Sequence, residues 1–438
     1  MKKKDLLAIG FMLFAMFFGA GNLIFPVALG HQAGKSLLPA IIGFIITGVG
    51  LPLLSMIVGS SLKGGYFQAL KKINPAFATI LLTSNYLIIG PLFAIPRTAT
   101  TTYEMSVLPY ITNGNGFALS LFTLVFFALV LWISLNKQSI VDSIGRWLTP
   151  ILLLSLVIFL VRSYFLYRTN TPPKALMIEY QSHPLAEGFI KGYLTMDTLA
   201  TLAFSIVVKS AFEAKGISDQ KTLWKEGSKA SLIAAGLLGV FYFGLAWVGN
   251  HIALVESLPQ GQNLGTFLLQ TIAHNAMGQS GVALLAIIVF LACLTTACGL
   301  VTAISQFFHD LYPKISYRNH VYLMTTVSWL IANQGLDRII ATSGPILNII
   351  YPVTMSLIFL LILHRIQPLN KIQFLVPLLF VLLVSLLSVL VTNHVIEWGL
   401  IQQLPLIKTG FSWIPVLIVA TVMSLLLMNR SQKLDFNV

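Results

Sequence analysis

The sequence predicts an all-α integral membrane protein of about twelve transmembrane helices. Of its 438 residues, 56% are hydrophobic and only 9% are charged. Apolar runs of about 18 or more residues recur along the whole chain, and each is long enough to cross a hydrocarbon core of roughly 30 Å. Segments rich in Pro, Gly, Asn and charge separate these runs. No stretch is left for a soluble domain.

Twelve spans are predicted in chain order. Their limits follow from loop signals such as Asn74-Pro75 and Pro172-Pro173 and from charge clusters. The spans cover residues 6–29, 37–60, 76–103, 117–136, 145–167, 187–210, 228–252, 279–308, 318–334, 339–363, 372–394 and 410–428. The first run lacks a small-x-small cleavage site, so we expect it to be retained as span 1.

The basic residues are distributed unevenly between the two sides of the membrane. If the N-terminus is cytoplasmic, the segments on that side carry 19 of the 27 Lys and Arg residues. Those on the other side carry seven, and Arg97 lies inside a span. This bias predicts an even number of spans with both termini cytoplasmic. Topology therefore explains the net charge of +13, and no nucleic-acid partner is needed.

The cysteines and histidines give no sign of a metal or redox centre. Cys293 and Cys298 lie in one apolar run, five residues apart and therefore on different helix faces. They fit buried thiols better than a disulfide or a metal pair. The eight histidines form no HExxH motif. We expect no transition metal and no organic cofactor.

Two of the predicted spans carry polar or glycine-bearing interruptions, GAGN at 19–22 in span 1 and GYLTMDT at 192–198 in span 6. Paired interruptions at corresponding positions of two halves are typical of inverted-repeat transporters with a binding site near the bilayer midplane. We therefore predict a first five-helix repeat over 1–168 and a second over 169–366. Residues 367–438 would add spans 11 and 12 and a cytoplasmic tail.

The glycines of span 1 allow an unwound backbone within the membrane. Gly19 and Gly21 each cost about 1 kcal/mol in helix propensity, and unsatisfied backbone groups at this depth cost several kcal/mol each. A cation on the freed carbonyls and a substrate carboxylate on the freed amides would satisfy them. The alternative is a glycine packing notch against another helix.

Span 8 offers a row of oxygen atoms that suits a hard cation. Ala292, Thr295 and Thr296 follow an A-x-x-T-T spacing, which places them on one helix face. Two hydroxyls and one carbonyl form half of a site suited to Na⁺. The alternative is that both threonines bond carbonyls of their own helix, as is common in membranes.

Several motifs resemble one bacterial family over nearly the whole chain. FFGAGNLIFP (17–26), GPLFAIPRTATTTYE (90–104), VDSIGRWLTP (141–150) and EGFIKGYLTMDTLATLAF (187–204) are similar to the branched-chain amino acid:cation symporters. That family belongs with the five-plus-five inverted-repeat transporters of the amino acid-polyamine-organocation superfamily. The resemblance implies broken spans 1 and 6 and two extra C-terminal helices.

The resemblance also implies roles for individual residues. The predicted cation ligands are Ala15, Phe18, Ala292, Thr295 and Thr296, with a second site at Asn22 and Asp197. The predicted substrate-binding residues are Met16, Phe17, Gly19, Ala20, Gly21, Asp197 and Thr296. Position 197 is Asp where the superfamily pattern has a hydroxyl residue, which leaves the second cation site open.

Asp197 and Arg97 are the two ionisable residues to weigh inside the predicted spans, where a charge is expensive and usually functional. Asp197 would bind the substrate ammonium, a cation or a transported proton, or else form a structural hydrogen bond to span 1. Arg97 would pair with an acid to gate the vestibule, attract a carboxylate, or form a structural pair. Glu104, seven residues further along the same face, is assigned to the gate with it.

The expected function is import of L-leucine, L-isoleucine and L-valine across the bacterial cell membrane. Na⁺ is the expected coupling ion, Li⁺ would suit the same oxygens, and proton-coupled uptake of these or other apolar amino acids is the alternative. An intramembrane enzyme would need a nucleophile with a base in reach, and a channel would need a repeated filter. The sequence contains neither pattern. It carries no signal for an oligomeric state.

Overall fold

The computed structural model describes residues 3–111, 116–135, 149–173, 175, 177–252, 258–259, 262–427 and 434. Its regular structure in these ranges is helical. The start of predicted span 5 and most of the VDSIGRWLTP stretch lie outside the described residues.

The described α-helices are numbered here in chain order. They are α1 (Lys3–Phe17), α2 (Ala20–Ala33), α3 (Leu37–Ile45), α4 (Leu51–Ser61), α5 (Gly65–Ile73), α6 (Pro75–Leu87), α7 (Ala94–Ser106), α8 (Gly116–Leu135), α9 (Thr149–Tyr167), α10 (Ile178–Ser182), α11 (Pro184–Tyr193), α12 (Asp197–Glu213), α13 (Gln220–His251), α14 (Leu264–Leu311), α15 (Tyr317–Ala332), α16 (Leu336–Ile366), α17 (Lys371–Thr392), α18 (Gly399–Gln402) and α19 (Trp413–Leu427). Two π-helical turns, Ile46–Gly50 and Ile88–Leu92, join α3 to α4 and α6 to α7.

The structure confirms an all-helical membrane architecture. Within the described residues, eight helical runs are long and apolar enough to cross a membrane, or nine if the bent pair α11 and α12 is one span. One of these runs, Ala20–Ser60, has 41 residues, which is about twice the length needed at 1.5 Å per residue. It therefore contains parts of two predicted spans. The count of twelve remains a prediction.

Two helix pairs pack through reciprocal glycine contacts. In the pair α2 and α13, a Cβ on Gly30 would collide with the carbonyl of Ala246, and one on Gly249 with that of Val27. The pair α3 and α11 repeats this arrangement with Gly43 and Gly188, which face the carbonyls of Leu185 and Ala40. Only glycine permits so close an approach.

The two chain ends lie on one face of the molecule. Lys215, just after α12, forms a 3.0 Å ion pair with Asp5 at the start of α1. The backbone amide of Leu434 bonds the carbonyl of Leu369 in the turn before α17. Arg365, at the end of α16 and close to that turn, stacks on Trp224 at the start of α13, which follows Lys215 in the chain, with 3.8 Å to the ring centroid. On the opposite face, the amide of Lys35 after α2 bonds the carbonyl of Pro173. The fold therefore has a terminal face and an opposite face, named so below.

Candidate functional site

Span 1 is interrupted between α1 and α2. The last helical bond of α1 runs from the amide of Phe18 to the carbonyl of Phe14 at 2.8 Å. Gly19 then adopts an extended conformation with φ −115° and ψ −160°. Its amide donates to Oδ1 of Asn22 at 3.2 Å. Asn22 thus satisfies a backbone donor that the break would leave unpaired in the membrane.

Span 6 is interrupted between α11 and α12, and Arg97 from α7 reaches the interruption. Met196 has a φ of 66°, in the left-handed region that a side chain disfavours. Arg97 donates from Nη1 to the carbonyl of Leu194 at 2.5 Å and from Nη2 to that of Thr195 at 3.2 Å. The guanidinium therefore replaces helical hydrogen bonds that the break removes.

Arg97 also contacts span 1. Its guanidinium lies 5.3 Å from the ring centroid of Phe25, and a Cβ on Gly21 would lie 2.8 Å from Nη2. Gly21 therefore leaves the space that the guanidinium occupies. Among the described residues, no carboxylate lies within 4.0 Å of Arg97.

A buried cluster of three polar side chains joins the two broken spans. Asn22 on α2 donates from Nδ2 to Oδ2 of Asp197, the first residue of α12, at 2.6 Å. Tyr242 on α13 donates its hydroxyl to the same oxygen at 3.1 Å, and Nδ2 of Asn22 also contacts that hydroxyl. All three residues are at most 3% exposed. In the described chain, no Lys or Arg nitrogen lies within 4.0 Å of Asp197, so its partners are neutral.

The two threonines of span 8 differ in their hydrogen bonds. The hydroxyl of Thr295 donates to the carbonyl of Ala292 at 3.0 Å, within its own helix. The hydroxyl of Thr296 is buried and has no hydrogen-bond partner. A Cβ on Gly19 would lie 3.0 Å from it, which places this oxygen against the break in span 1. The alternative that both threonines bond carbonyls of their own helix therefore holds for Thr295 and does not hold for Thr296.

A small central cavity lies where the two breaks meet, with a volume of about 20 Å³. That space suits a single water molecule, so the walls must move apart to admit an amino acid. The predicted site residues that line it are Met16, Phe17, Gly19, Ala20, Asn22, Arg97, Asp197 and Thr296. Ala15, Phe18, Ala292 and Thr295 are buried behind this lining.

One wall of the central cavity is apolar, and the sequence did not predict its residues. Ile89 of the π-helical turn, Ala200 and Phe204 of α12, and Leu300 of α14 line it. All four are apolar residues of predicted spans, so their residue type does not distinguish them from lipid-facing or core residues. Only the polar neighbours identify which apolar side chains face the cavity.

Glu104 lies apart from Arg97 and has its own partners. Its Oε2 accepts from the hydroxyl of Thr266 at 2.6 Å and from the amide of Asn263 at 3.4 Å. Its carbonyl accepts from the side chain of Gln270. The carboxyl group therefore sits at the N-terminus of α14, where the helix dipole favours a negative charge. A role of either residue in gating remains a prediction.

The overall fold is similar to solved structures of cation-coupled transporters. The chain is 11% identical to Mhp1, a nucleobase-cation-symport-1 family transporter in a closed conformation with bromovinylhydantoin bound, with a TM-score of 0.60. That comparison covers 95% of this chain and 90% of the other. A Na⁺-coupled sialic acid symporter in a substrate-bound outward-open state is 13% identical, with a TM-score of 0.58 over 98% of this chain and 91% of the other.

Relatives from staphylococci share far more of the sequence. A protein of Staphylococcus aureus (strain USA300) with the name "Putative branched-chain amino acid carrier protein" is 43% identical over 430 residues, covering 97% of this chain and 96% of the relative. A protein of the same description from Staphylococcus haemolyticus (strain JCSC1435) is 42% identical over 426 residues, covering 96% of this chain and 95% of the relative.

Two broken spans that face one central cavity, within this fold, define a membrane transporter. The sequence pattern of the family described as branched-chain amino acid transport protein matches residues 2–431. The chain belongs to that family. It is therefore a multi-pass membrane carrier and not an enzyme, and the resemblance inferred from its motifs is confirmed.

Proposed function

We propose that this protein imports leucine, isoleucine and valine by symport with Na⁺, through alternating access to the central cavity. The observation that carries the proposal is the buried hydroxyl of Thr296, which has no partner and faces the break at Gly19. A buried hydroxyl without a partner costs free energy. A cation held between this oxygen and the carbonyls freed by the break would satisfy both sets of groups.

The polar wall of the central cavity suits the charged groups of an amino acid. The backbone amides of Ala20 and Gly21, at the N-terminus of α2, favour a carboxylate. Arg97 also lines the cavity, and its Nε has no hydrogen-bond partner. Asp197 and the carbonyls of Met16 and Phe17 are suited to the ammonium group. Each end of the zwitterion would therefore meet groups of opposite polarity.

The apolar wall suits a branched side chain without selecting strongly among three of them. Burial of a Val, Leu or Ile side chain contributes about 1.5 to 3 kcal/mol. One methylene group changes binding by only about 1 to 3 kcal/mol in a hydrophobic pocket. A single site formed by Ile89, Ala200, Phe204 and Leu300 would therefore accept all three substrates.

The membrane potential would supply the driving force. Entry of one Na⁺ across 100 mV gains about 2.3 kcal/mol, which corresponds to roughly a fifty-fold concentration ratio of substrate. A Na⁺ gradient would add to it. This direction of transport assumes that the terminal face is cytoplasmic, as the distribution of basic residues predicts.

Leucine uptake into proteoliposomes, with Na⁺ and proton gradients imposed separately, tests the proposal. We expect an inward Na⁺ gradient to drive saturable accumulation at equal pH on both sides. Unlabelled leucine inside the vesicles should accelerate entry of labelled leucine, since a carrier exchanges its substrate. If a Na⁺ gradient produces no accumulation in active vesicles, Na⁺ coupling is wrong.

Proton coupling is the second candidate, and the neutral surroundings of Asp197 favour it. A buried carboxyl group whose partners are Asn22 and Tyr242 can change its charge without breaking an ion pair. Under this alternative, a proton gradient alone drives accumulation, and Asp197→Asn retains leucine exchange while it loses accumulation. Under Na⁺ coupling, the proton gradient alone has no effect.

A further inference from the structure

A second, larger cavity opens on the opposite face, away from the terminal face. It lies between α11, the end of α17, and the segment 407–413 that leads into α19. Its volume is about 260 Å³, against about 20 Å³ for the central cavity. Pockets for drug-sized ligands measure roughly 300 to 1,000 Å³, so this space suits one molecule smaller than those. We call it the outer cavity.

The inner wall of the outer cavity combines apolar surface with a buried polar group. Ile190, Val389 and Trp413 supply the apolar surface. Ser385, also in the wall, is 3% exposed, and its hydroxyl has no hydrogen-bond partner. Buried hydroxyls are normally paired with protein or with a bound molecule. The wall therefore offers a partner for a polar ligand that also carries an apolar part.

The mouth of the outer cavity carries both signs of charge. Glu179 and Glu187 of the segment α10–α11 face it, and Lys408 lies on the segment before α19. Glu187 is also paired with Lys191 at 3.2 Å. The lining therefore carries two carboxylates and the ammonium group of Lys408, and Lys191 neutralises one of the carboxylates, so each charged end of a zwitterion would meet a group of opposite sign.

We propose that the outer cavity binds a free neutral amino acid with an apolar side chain, as a second site separate from the central cavity. The ammonium group would lie toward the carboxylates, the carboxylate toward Lys408, and the side chain against the apolar wall. This inference rests on the proposed function, because the ligand belongs to the same chemical class as the proposed substrate.

One residue links the outer cavity to the central one. Tyr193, the last residue of α11, lines the outer cavity and stacks on Tyr351 of α16, with ring centroids 4.4 Å apart and planes at 14°. The interruption of span 6 begins at the next residue, Leu194, whose carbonyl accepts from Arg97. A ligand packed against α11 in the outer cavity therefore restrains the half-helix that leads into the central site.

Saturation binding of radiolabelled leucine to the purified protein in Na⁺-containing detergent solution tests this proposal. We expect two leucine molecules per wild-type protein. Ala186→Phe places a ring inside the outer cavity, which Ala186 lines, and should reduce the number to one. Leu185→Phe is the matched control, because Leu185 is the adjacent residue and its side chain is 46% exposed. This variant should retain two.

A single leucine per wild-type protein, unchanged in Ala186→Phe, overturns the second site. If Ala186→Phe loses all binding through misfolding, Lys408→Gln is tested in its place. If the Lys408→Gln protein still binds two leucine molecules with unchanged affinity, the proposal is also overturned. The proposed function fails in a different way, as absence of Na⁺-driven leucine uptake by wild type. Uptake that persists with one bound leucine rejects only the outer site.

Discussion

At the scale of single residues, the site consists of polar atoms whose partners were lost when two helices were interrupted. Asn22 and Arg97 supply partners to backbone groups at the breaks. Asp197 bonds Asn22, and the hydroxyl of Thr296, which faces the break in span 1, has no partner. Since an unpaired buried donor is costly, a ligand that bonds this hydroxyl would be stabilised by it. Functional assignments therefore follow from the unpaired atoms as much as from the paired ones.

Replacement of the two threonines should separate cation binding from helix structure. Thr296→Ala removes the unpaired hydroxyl, and we expect the Na⁺ concentration for half-maximal leucine uptake to rise about ten-fold, for a lost oxygen ligand of about 1.4 kcal/mol. Thr295→Ala removes a hydroxyl that bonds Ala292 within the helix and should have a smaller effect. Na⁺ titrations of uptake provide the measurement. Identical Na⁺ activation in wild type and both variants would remove this site assignment.

Tyr242 provides a second test, at the cluster that joins the broken spans. Tyr242→Phe removes one donor to Asp197, and we expect about a ten-fold loss in the apparent affinity for leucine or Na⁺, because hydrogen bonds to a charged group contribute about 1.5 to 3 kcal/mol. Tyr180→Phe is the control, since that buried hydroxyl has no hydrogen-bond partner. Concentration dependence of uptake in both variants checks this, and equal behaviour of the two argues against the cluster.

The sequence showed part of this site and not the rest. Asn22 and Asp197 stand out because amides and carboxyl groups are rare in apolar runs. Tyr242 does not stand out, because tyrosine is common near the ends of spans, at the membrane–water interfaces. For Arg97 the sequence indicated a carboxylate partner, whereas the structure shows the carbonyls of Leu194 and Thr195. Backbone acceptors at a helix break carry no signal in the sequence.

At the scale of helices, hydropathy located most long segments and missed those of mixed character. The amphipathic helix α5 is short and ends in Lys71 and Lys72, so it resembles a loop in hydropathy. Helix α14 begins at Leu264, and Gly278, with a φ of 62°, interrupts it. The predicted span 8 begins at 279, because the preceding part alternates polar and apolar residues. Short helices that lie beside the core need tertiary contacts to be recognised.

Two glycines of α13 should respond oppositely to alanine. Gly249 touches the backbone of Val27, whereas a Cβ on Gly239 would meet no atom within 4 Å. We expect Gly249→Ala to lower the thermal unfolding temperature in detergent, because α2 and α13 must separate. Gly239→Ala should leave it unchanged or raise it, since alanine favours a helix by about 1 kcal/mol. If Gly239→Ala lowered the unfolding temperature and Gly249→Ala left it unchanged, this packing of α2 against α13 would be wrong.

At the scale of the whole molecule, the two halves of each broken span extend toward different faces. The halves on the terminal face, α1 and α12, are joined there by the ion pair between Asp5 and Lys215. The halves on the opposite face, α2 and α11, pack through glycines against α13 and α3. The central cavity has too little room for an amino acid, so one set of contacts must open for each side to gain access.

The ion pair on the terminal face should therefore restrain opening toward that face. An exposed pair contributes about 0.2 to 1 kcal/mol, so Asp5→Asn should raise the population open to that face up to about five-fold. Met16 lines the central cavity, so Met16→Cys introduces a thiol there. In inside-out vesicles, we expect a membrane-impermeant thiol reagent to label this cysteine about two to five times faster with Asp5→Asn than with Asp5. The native cysteines are buried.

Glu213→Gln is the control, since Glu213 pairs with Lys209 inside α12 and cannot report movement between helices. The exchange Asp5→Lys with Lys215→Asp should restore the wild-type rate by re-forming the pair. Equal labelling rates in Asp5→Asn, Glu213→Gln and wild type would show that this contact does not control access from the terminal face.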